Sequence, residues 1–335
     1  MNVAVIGLGL IGGSLLRALA AHGHHVAGYD LGRHTREAAR GLAKAAEVPP
    51  AADPQARTIA IRGEWRVAES IAEAAEGAEL VVLAVPLPAI PGVLAELTGH
   101  PGLITDVTSV KGPVRDLLGG RRFVGGHPMA GKETSGFAAS DPHLFDGCAW
   151  VLCLEPGGTD LTDWLALARL CTGLGARVVP VTAAEHDRAV AEISHVPHLL
   201  AAALSTVLSG NPLAGTLAAG SFRDGTRVAG TRPELIAAMC GGNAPAVRQV
   251  LAGIVGELQS YGRDLAADDP IAVLTERLRT PSDLRRAWPP RPGEAIEVSA
   301  EPGALLALGR AGGWVTAVRD DKVEAMRPVS DRNSS

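Results

Sequence analysis

A histidine-containing loop combines residue types that could carry out proton transfer. Residues 125–136 read GGHPMAGKETSG, so His127 follows two glycines and precedes a proline, and a lysine, Glu133, a threonine and a serine come next. Histidine gains and loses protons near neutral pH, so a histidine that faces a bound cofactor is a candidate proton acceptor. An isolated motif of this kind is also typical of a turn whose histidine caps a strand or fills a gap. The surrounding elements must decide between the two.

A nucleotide site is indicated at the start of the chain. Gly7, Gly9 and Gly12 form a G-x-G-x-x-G pattern after the apolar run 3–6, with Leu10 and Ile11 between the last two glycines, and a helical pattern follows from about Gly12 to His22. Such glycines allow a tight turn, a close backbone approach to a pyrophosphate and close packing of the helix on the strand. The helix N-terminus then offers N–H groups to the phosphates. The alternative is a Rossmann-like domain that has lost its ligand.

The second predicted strand, residues 25–29, ends at an acidic residue that bears on cofactor choice. The carboxylate of Asp30 would accept hydrogen bonds from a ribose 2′-hydroxyl and repel a 2′-phosphate, which favours NAD over NADP. Arg33 weakens this argument because a nearby arginine can accommodate a 2′-phosphate. The cofactor-binding residues predicted at this end of the chain are Gly7, Gly9, Leu10, Ile11, Gly12, Asp30 and Arg33.

Two polar clusters in the second half of the chain could bind an acidic substrate. His195 and His198 flank Pro197 in SHVPH, and a proline inside a helical pattern suggests a kink at a site, although a short loop with exposed histidines would give the same pattern. Arg223 and Arg227 are four residues apart and suit a carboxylate, although a surface ion pair would explain them equally well. No third ligand has metal-site spacing, so no metal is predicted. A nucleotide site, a histidine base and arginines together indicate hydride transfer from a secondary alcohol on a small carboxylic acid.

The order of the patterns predicts the fold class and the domains. Strands and helices alternate over about residues 1–182, which predicts an α/β domain with a Rossmann-type doubly wound parallel sheet, whose last strands are expected at 149–154 and 176–181. Residues 183–280 have helical periodicity only and predict an all-α domain. Residues 281–335 begin proline-rich and hold three short apolar patterns, which predict a tail or a small β-rich appendage.

Composition excludes several classes of function. The chain has 47% hydrophobic residues, a net charge of -5 and no block of basic residues, so neither nucleic acid nor a membrane surface is an expected partner. The apolar run 80–97 is broken by prolines and cannot span a bilayer. Four cysteines without paired spacing indicate reduced thiols in a cytoplasmic protein. A proline- and alanine-rich loop is expected at 49–54 and disorder at the last residues.

Six motifs in order resemble the prephenate/arogenate dehydrogenase family of tyrosine biosynthesis. They are GLGLIGGS at 7–14, LAVP at 83–86, DVTSVKG at 106–112, GGHPMAGKETSG at 125–136, SHVPH at 194–198 and SFRDGTRVAGTRPEL at 221–235. The resemblance covers roughly residues 1–260. It implies an NAD-dependent oxidative decarboxylation of a cyclohexadienol, a helical dimerisation domain and hence a homodimer, with each site between the two domains.

The resemblance also implies roles for individual residues. His127 would accept the proton of the ring hydroxyl, and Ser109 would help to orient the hydroxyl or the histidine. His198 and Arg227 would bind the substrate carboxylates, and Glu133 would lie near the entrance. Supporting substrate contacts are expected from His195 and Arg223, and Val85 and Pro86 join the predicted cofactor site.

The chain departs from the family pattern at two points, and several alternative functions stay open. Thr108 replaces the glycine that many members have before the serine, which puts the placement of Ser109 in doubt. The region 294–329 is too short for a whole ACT regulatory domain, so feedback inhibition through one is not expected. Within the family, prephenate is the expected substrate and arogenate the alternative, and the sequence does not separate the two cleanly. A β-hydroxyacid dehydrogenase is disfavoured because no lysine occurs between Lys132 and Lys322, and a non-catalytic nucleotide sensor is disfavoured by the intact His127, Ser109 and Arg227.

Overall fold

The described part of the chain forms two compact units. The computed structural model describes residues 1–46, 65–289, 291, 293–319 and 322–328. The first unit contains Met1–His186 and Ala295–Arg327, and the second contains Asp187–Glu294. The loop expected at 49–54 and the disorder expected at the last residues lie outside the described residues.

A parallel sheet forms the centre of the first unit. Its strands are β1 (Asn2–Ile6), β2 (His25–Tyr29), β3 (Trp65–Val67), β4 (Leu80–Leu83), β5 (Leu103–Asp106) and β6 (Phe123–Val124). The helices between them are α1 (Leu10–Ala21), α2 (Arg33–Ala46), α3 (Ile71–Ala75), α4 (Ile90–Glu96) and α5 (Gly112–Leu117). The strand order is β3-β2-β1-β4-β5-β6, and every pairing is parallel. Since β4 and β5 are buried along their whole length and β4 is apolar throughout, the sheet is covered on both faces. The predicted Rossmann-type fold class is confirmed.

A second sheet corrects the expected extent of the first. Its strands are β7 (Gly126–Pro128), β8 (Ala149–Cys153), β9 (Arg177–Val181), β10 (Glu294–Ser299), β11 (Trp314–Arg319) and β12 (Lys322–Arg327). The order is β10-β12-β11-β9-β8-β7. The strands expected at 149–154 and 176–181 therefore do not extend the doubly wound sheet. They pair in parallel with each other across helix α6 (Leu161–Gly173), and β8 pairs antiparallel with β7.

The C-terminal segment is part of the first unit rather than a separate tail. Strand β11 pairs antiparallel with β9 at Val315 and Val178, and helix α14 (Pro302–Arg310) precedes β11. Apolar residues of α14 and β11, such as Leu305 and Val315, belong to the same buried cluster as Val5 of β1. The apolar pattern at 303–308 is thus one buried helix face.

The second unit is helical, as expected. Helix α7 (Ala183–Val190) continues through a π-helical turn, Ala191–His195, into α8 (Val196–Ser205). The remaining helices are α9 (Pro212–Leu217), α10 (Gly220–Thr226), α11 (Pro233–Gly242), α12 (Ala244–Asp264) and α13 (Pro270–Ala287). The expected boundary after residue 280 falls inside α13. Pro197 is the second residue of α8 and directly follows the π-helical turn, an irregularity of the kind that accommodates a proline inside a continuous helix.

One continuous stretch in these helices is strongly apolar. Ala183–Leu208 has a mean hydropathy of 1.2, and 28% of its most apolar window is buried within the chain. By length and composition alone it could cross a membrane, although a helix covered by other protein surfaces has the same properties.

Candidate functional site

The turn after β1 requires glycine at two of the three motif positions. Gly7 has a φ of +99°, and a Cβ there would lie 2.4 Å from the carbonyl oxygen of Ala84. At Gly12 a Cβ would lie 1.9 Å from the carbonyl oxygen of Gly7, so helix α1 packs directly on the turn. A Cβ at Gly9 would meet nothing within 4 Å. The backbone is therefore open at Gly9, where a pyrophosphate would approach.

A cavity of about 460 Å³ opens at the carboxyl ends of β1, β2 and β4. Of the predicted cofactor residues, five line it: Gly7, Gly9, Asp30, Val85 and Pro86. Leu10 and Ile11 begin α1 beside it. Arg33 is 82% exposed and its guanidinium pairs with Glu37 at 2.7 Å. This is the place in a doubly wound sheet where a nucleotide binds.

The Asp30 carboxylate is fixed by two backbone groups. It accepts hydrogen bonds at 2.8 Å from the N–H groups of Leu8 and of Gly32. Arg36, which the sequence reasoning missed, donates to the carbonyl oxygen of Asp30 at 2.7 Å and covers the Tyr29 ring at 5.7 Å. The carboxylate is consequently held in the cavity wall, with lone pairs left for a hydroxyl donor.

His127 is held by a second histidine that the sequence reasoning missed. Its Nδ1 lies 2.9 Å from Nε2 of His186, and the two rings meet edge to face with centroids 5.1 Å apart. His186 is 2% exposed and lies in the first half of α7. In such a pair one nitrogen donates and the other accepts. When His127 Nδ1 donates, its Nε2 carries the lone pair and can accept a proton.

The start of α7 is fixed by a capping box, which the sequence shows as Thr182 followed three residues later by Glu185, although this pattern does not indicate the contact of His186. Glu185 accepts hydrogen bonds from the N–H and the hydroxyl of Thr182 at 2.9 and 2.8 Å. Burial alone would raise the pKa of Glu185, but these hydrogen bonds and one from Arg310 lower it below its ordinary value. The carboxylate therefore stays ionised and keeps the first turn in place.

A buried polar network positions the backbone just before His127. Lys111 forms an ion pair with Asp106 and donates to the carbonyl oxygen of Gly126 at 2.6 Å. Asp106 accepts the N–H of Gly126 at 3.1 Å. The hydroxyl of Thr108 also donates to Asp106, so the residue that departs from the family pattern takes part in this network. Both polar groups of Gly126 are thereby held.

Ser109 and Glu133 lie in loops of the same unit. Ser109 is half-buried in the loop after β5, and Glu133 is exposed in the loop after β7. That second loop is anchored to α1, because the N–H of Asp141 donates to Ser14 at 2.9 Å. Lys132 pairs with Asp141 at 2.8 Å, and this hydrogen bond is the main cause of the lowered pKa of Asp141.

The remaining predicted substrate residues lie in the second unit. His195 is completely buried, and its Nδ1 lies 3.2 Å from the side-chain nitrogen of Asn243, another residue that the sequence reasoning missed. Half-buried His198 places its Nδ1 2.9 Å from the carbonyl oxygen of Ser194. Arg223 and Arg227 are exposed. Arg223 also forms a 3.4 Å ion pair with Asp224, the arrangement that the alternative interpretation required.

Other reactive groups do not form a second centre among the residues described. No group of three or more histidine, cysteine or acidic side chains there could hold a metal ion. The four cysteines are free thiols. Burial raises the pKa of Cys148 to about 11, so its thiol is protonated at neutral pH.

Comparison with known proteins assigns the chain to a family. Residues 51–180 match the family model described as prephenate dehydrogenase, nucleotide-binding domain, and residues 182–276 match prephenate dehydrogenase, dimerization domain. A curated prephenate dehydrogenase from Bacillus subtilis is 35% identical over 250 residues, which are 70% of this chain and 62% of the relative. The chain thus spans less than two thirds of that relative's length.

Two further proteins match over most of their lengths. A cyclohexadienyl dehydrogenase from Zymomonas mobilis is 31% identical, with 80% of this chain and 89% of the relative covered. A crystal structure of prephenate dehydrogenase from A. aeolicus, in complex with hydroxyphenyl propionate and NAD+, has a TM-score of 0.71 and 25% identity, covering 85% of this chain and 97% of the other. The chain therefore belongs to the prephenate/arogenate dehydrogenase family.

Proposed function

We propose that this chain is an NAD-dependent dehydrogenase that oxidises and decarboxylates prephenate to 4-hydroxyphenylpyruvate in tyrosine biosynthesis. The observation that carries the proposal is the 2.9 Å contact between His127 Nδ1 and His186 Nε2. A histidine whose second nitrogen is held by a buried partner is suited to accept a proton from a substrate hydroxyl. Family membership supplies the substrate class.

The residues of the nucleotide cavity fit NAD. The open backbone at Gly9 and the N-terminal turn of α1, with Leu10, Ile11 and Gly12, suit a pyrophosphate. Asp30 offers its carboxylate to a ribose 2′-hydroxyl, and Val85 lines the same cavity. NAD, when bound, accepts hydride from the ring carbon that bears the hydroxyl.

The proton of that hydroxyl passes to His127 Nε2 as the hydride leaves. His186 fixes the tautomer by holding Nδ1, and it shares the positive charge that the imidazole acquires. The network of Asp106 and Lys111 keeps Gly126, and hence the adjacent His127, in place. Loss of carbon dioxide then makes the ring aromatic.

Substrate recognition is assigned to the remaining polar residues. Ser109 orients the hydroxyl, and Glu133 lies at the entrance. His198 and Arg227 bind the carboxylates, since guanidinium and imidazole groups are strong donors to such anions. His195 and Arg223 have supporting roles.

A second substrate follows from one relative. The cyclohexadienyl dehydrogenase of Zymomonas mobilis is similar over 89% of its length, and its name does not specify prephenate. Arogenate, with an amino group in place of the side-chain keto oxygen, is therefore the alternative substrate.

The decisive experiment is a spectrophotometric assay of NAD⁺ and NADP⁺, each with prephenate and with arogenate. We expect NADH from NAD⁺ with prephenate and little NADPH. Absence of reduced nucleotide in all four combinations contradicts the enzyme assignment. Faster turnover of arogenate than of prephenate would identify arogenate as the substrate without changing the proposed type of reaction.

Assembly and location are part of the proposal. The helices of the second unit expose large apolar side chains, including Leu204, Leu258 and Leu284, which would be covered in a homodimer. A dimer contact would also account for the apolar stretch Ala183–Leu208 without a membrane. We expect a cytoplasmic homodimer that binds small molecules and no nucleic acid.

A further inference from the structure

The C-terminal helix α14 packs against the strand that leads to the histidine pair. A Cβ at Gly309 would lie only 1.9 Å from the carbonyl oxygen of Pro180 in β9. No side chain larger than hydrogen fits there without moving the helix or the strand. Two residues after Pro180 comes Thr182, which caps α7. The end of α14 thus sets the position of the β9–α7 connection.

A polar contact links the same two elements. Arg310, the last residue of α14, donates from Nε to Oε1 of Glu185 at 2.6 Å. Glu185 uses its other oxygen to accept the Thr182 N–H. On the opposite side, the N–H of Ala183 donates to Glu155 at 2.6 Å. The first turn of α7 is therefore fixed from α14 and from the loop after β8.

The next residue is the one that holds the proposed base. His186 follows Glu185 directly and places Nε2 2.9 Å from Nδ1 of His127. Hydrogen-bond geometry is sensitive to displacements of a few tenths of an ångström. A shift of the first turn of α7 would consequently change the hydrogen bond between His186 and His127.

We infer that α14 is a positioning element for the histidine pair, in which Gly309 and Arg310 hold the first turn of α7 and so keep His186 against His127. The inference rests on the proposed function for its effect on turnover, although the placement of the two rings can be measured without turnover. Residues 295–327 would then belong to the catalytic unit and would not be a dispensable tail.

The first test changes the polar contact. Arg310→Met removes the donor to Glu185, Arg310→Lys retains a cation, and Arg319→Met removes a comparable exposed pair with Glu324 (3.0 Å) in the same segment. Because partly exposed pairs contribute modestly, we expect Arg310→Met to lower kcat about two- to fivefold with unchanged KM for NAD⁺. Arg310→Lys should restore most of kcat, and Arg319→Met should match the wild type.

The second test changes the packing. Gly309→Ala forces α14 away from Pro180, whereas Gly303→Ala adds a Cβ in the same helix that meets nothing within 4 Å. We expect Gly309→Ala to lower kcat about tenfold or more, on the scale of a misplaced catalytic group, and Gly303→Ala to leave it unchanged. Circular dichroism and NAD⁺ binding identify variants that fail to fold. If Gly309→Ala fails to fold, the Arg310 variants alone test the inference.

Ring ¹⁵N NMR of the histidines separates this inference from the proposed function. We expect the signals of His127 and His186 to shift in Gly309→Ala and Arg310→Met but not in the two control variants. If the wild type lacked dehydrogenase activity, these shifts would still support the positioning role. Unchanged ring signals and kcat in both variants would overturn it.

Discussion

Asp106 and Lys111 form a buried ion pair, in which 0% of the Asp106 side chain and 1% of the Lys111 side chain are exposed. Lys111 also holds the carbonyl oxygen of Gly126, and Asp106 holds its N–H. A buried pair contributes little to net stability, but breaking it leaves an uncompensated charge. Its effect here is therefore to fix the backbone beside His127.

Lys111→Met should be strongly destabilising. It leaves the Asp106 carboxylate buried without its cation, for which we expect a loss of about 3–5 kcal/mol in the free energy of unfolding. Urea denaturation measures this loss. Lys132→Met, which breaks a partly exposed pair with Asp141, is the control and should cost about 1 kcal/mol or less. Equal losses in the two variants would contradict the special role of the buried pair.

The histidine pair should show unequal effects on turnover. His127→Asn keeps the approximate shape but removes the base, and we expect kcat to fall by about 10² or more. His186→Asn leaves the base but alters the contact that fixes its tautomer, so a smaller fall is expected, about tenfold. His143→Asn, an exposed histidine paired with Asp146, should keep the wild-type kcat. Unchanged turnover in His127→Asn would remove this residue from its role.

How far the sequence predicts this site depends on how local each feature is. The glycine turn and Asp30 follow from neighbouring residues, because turn, strand end and helix start are encoded within a short segment. His186 and Asn243 were missed because their partners His127 and His195 are 59 and 48 residues away in the sequence. Arg36 lies only six residues from Asp30, but its hydrogen bond is to a backbone carbonyl oxygen, which any residue provides. No local pattern marks such a contact.

The second sheet was missed for the same physical reason. The apolar segments at 149–154 and 176–181 were recognised as strands, but a strand's own sequence does not say which sheet it joins. Pairing of Val315 with Val178 brings in a strand from the C-terminal segment. Proline-rich sequence before β10 suggested a tail, whereas burial of Leu305 and Val315 in the main core places the segment in the first unit.

Asp30 should determine the choice of nucleotide. Asp30→Ala removes the acceptor for the ribose hydroxyl and the charge that repels a 2′-phosphate. We expect KM for NAD⁺ to rise about tenfold and the preference for NAD⁺ over NADP⁺ to decrease, in steady-state assays with both nucleotides. Arg33→Ala is the matched control, because Arg33 is exposed and paired with Glu37. If Arg33→Ala changed the preference for NAD⁺ over NADP⁺ more than Asp30→Ala does, Arg33 and not Asp30 would determine the choice of nucleotide.

Arg227 should act mainly in substrate binding. Arg227→Ala removes a charged hydrogen bond to a substrate carboxylate. We therefore expect the KM for prephenate to rise about ten- to a hundredfold, with a smaller effect on kcat. Arg223→Ala provides the comparison, because Arg223 is exposed and pairs with Asp224. A large loss of kcat at unchanged KM in Arg227→Ala would point to another anchor for the carboxylate.

The thiols should make the fold sensitive to alkaline pH. Burial raises the pKa of Cys148 from 9.0 to about 11, and it raises the pKa of Cys171 further. From about pH 9 up to the raised pKa values, the native thiols keep protons that the unfolded chain releases. The contribution of the buried thiols to the free energy of unfolding is therefore fully present below about pH 9 and decreases as the pH rises above it. Urea midpoints at pH 7 and pH 10 should show this loss, and Cys148→Ser should reduce it. Because the raised pKa of Cys148 keeps its thiol protonated in the native protein, its alkylation at pH 8 should be far slower in the native protein than in urea. Equal alkylation rates would show that Cys148 is not shielded.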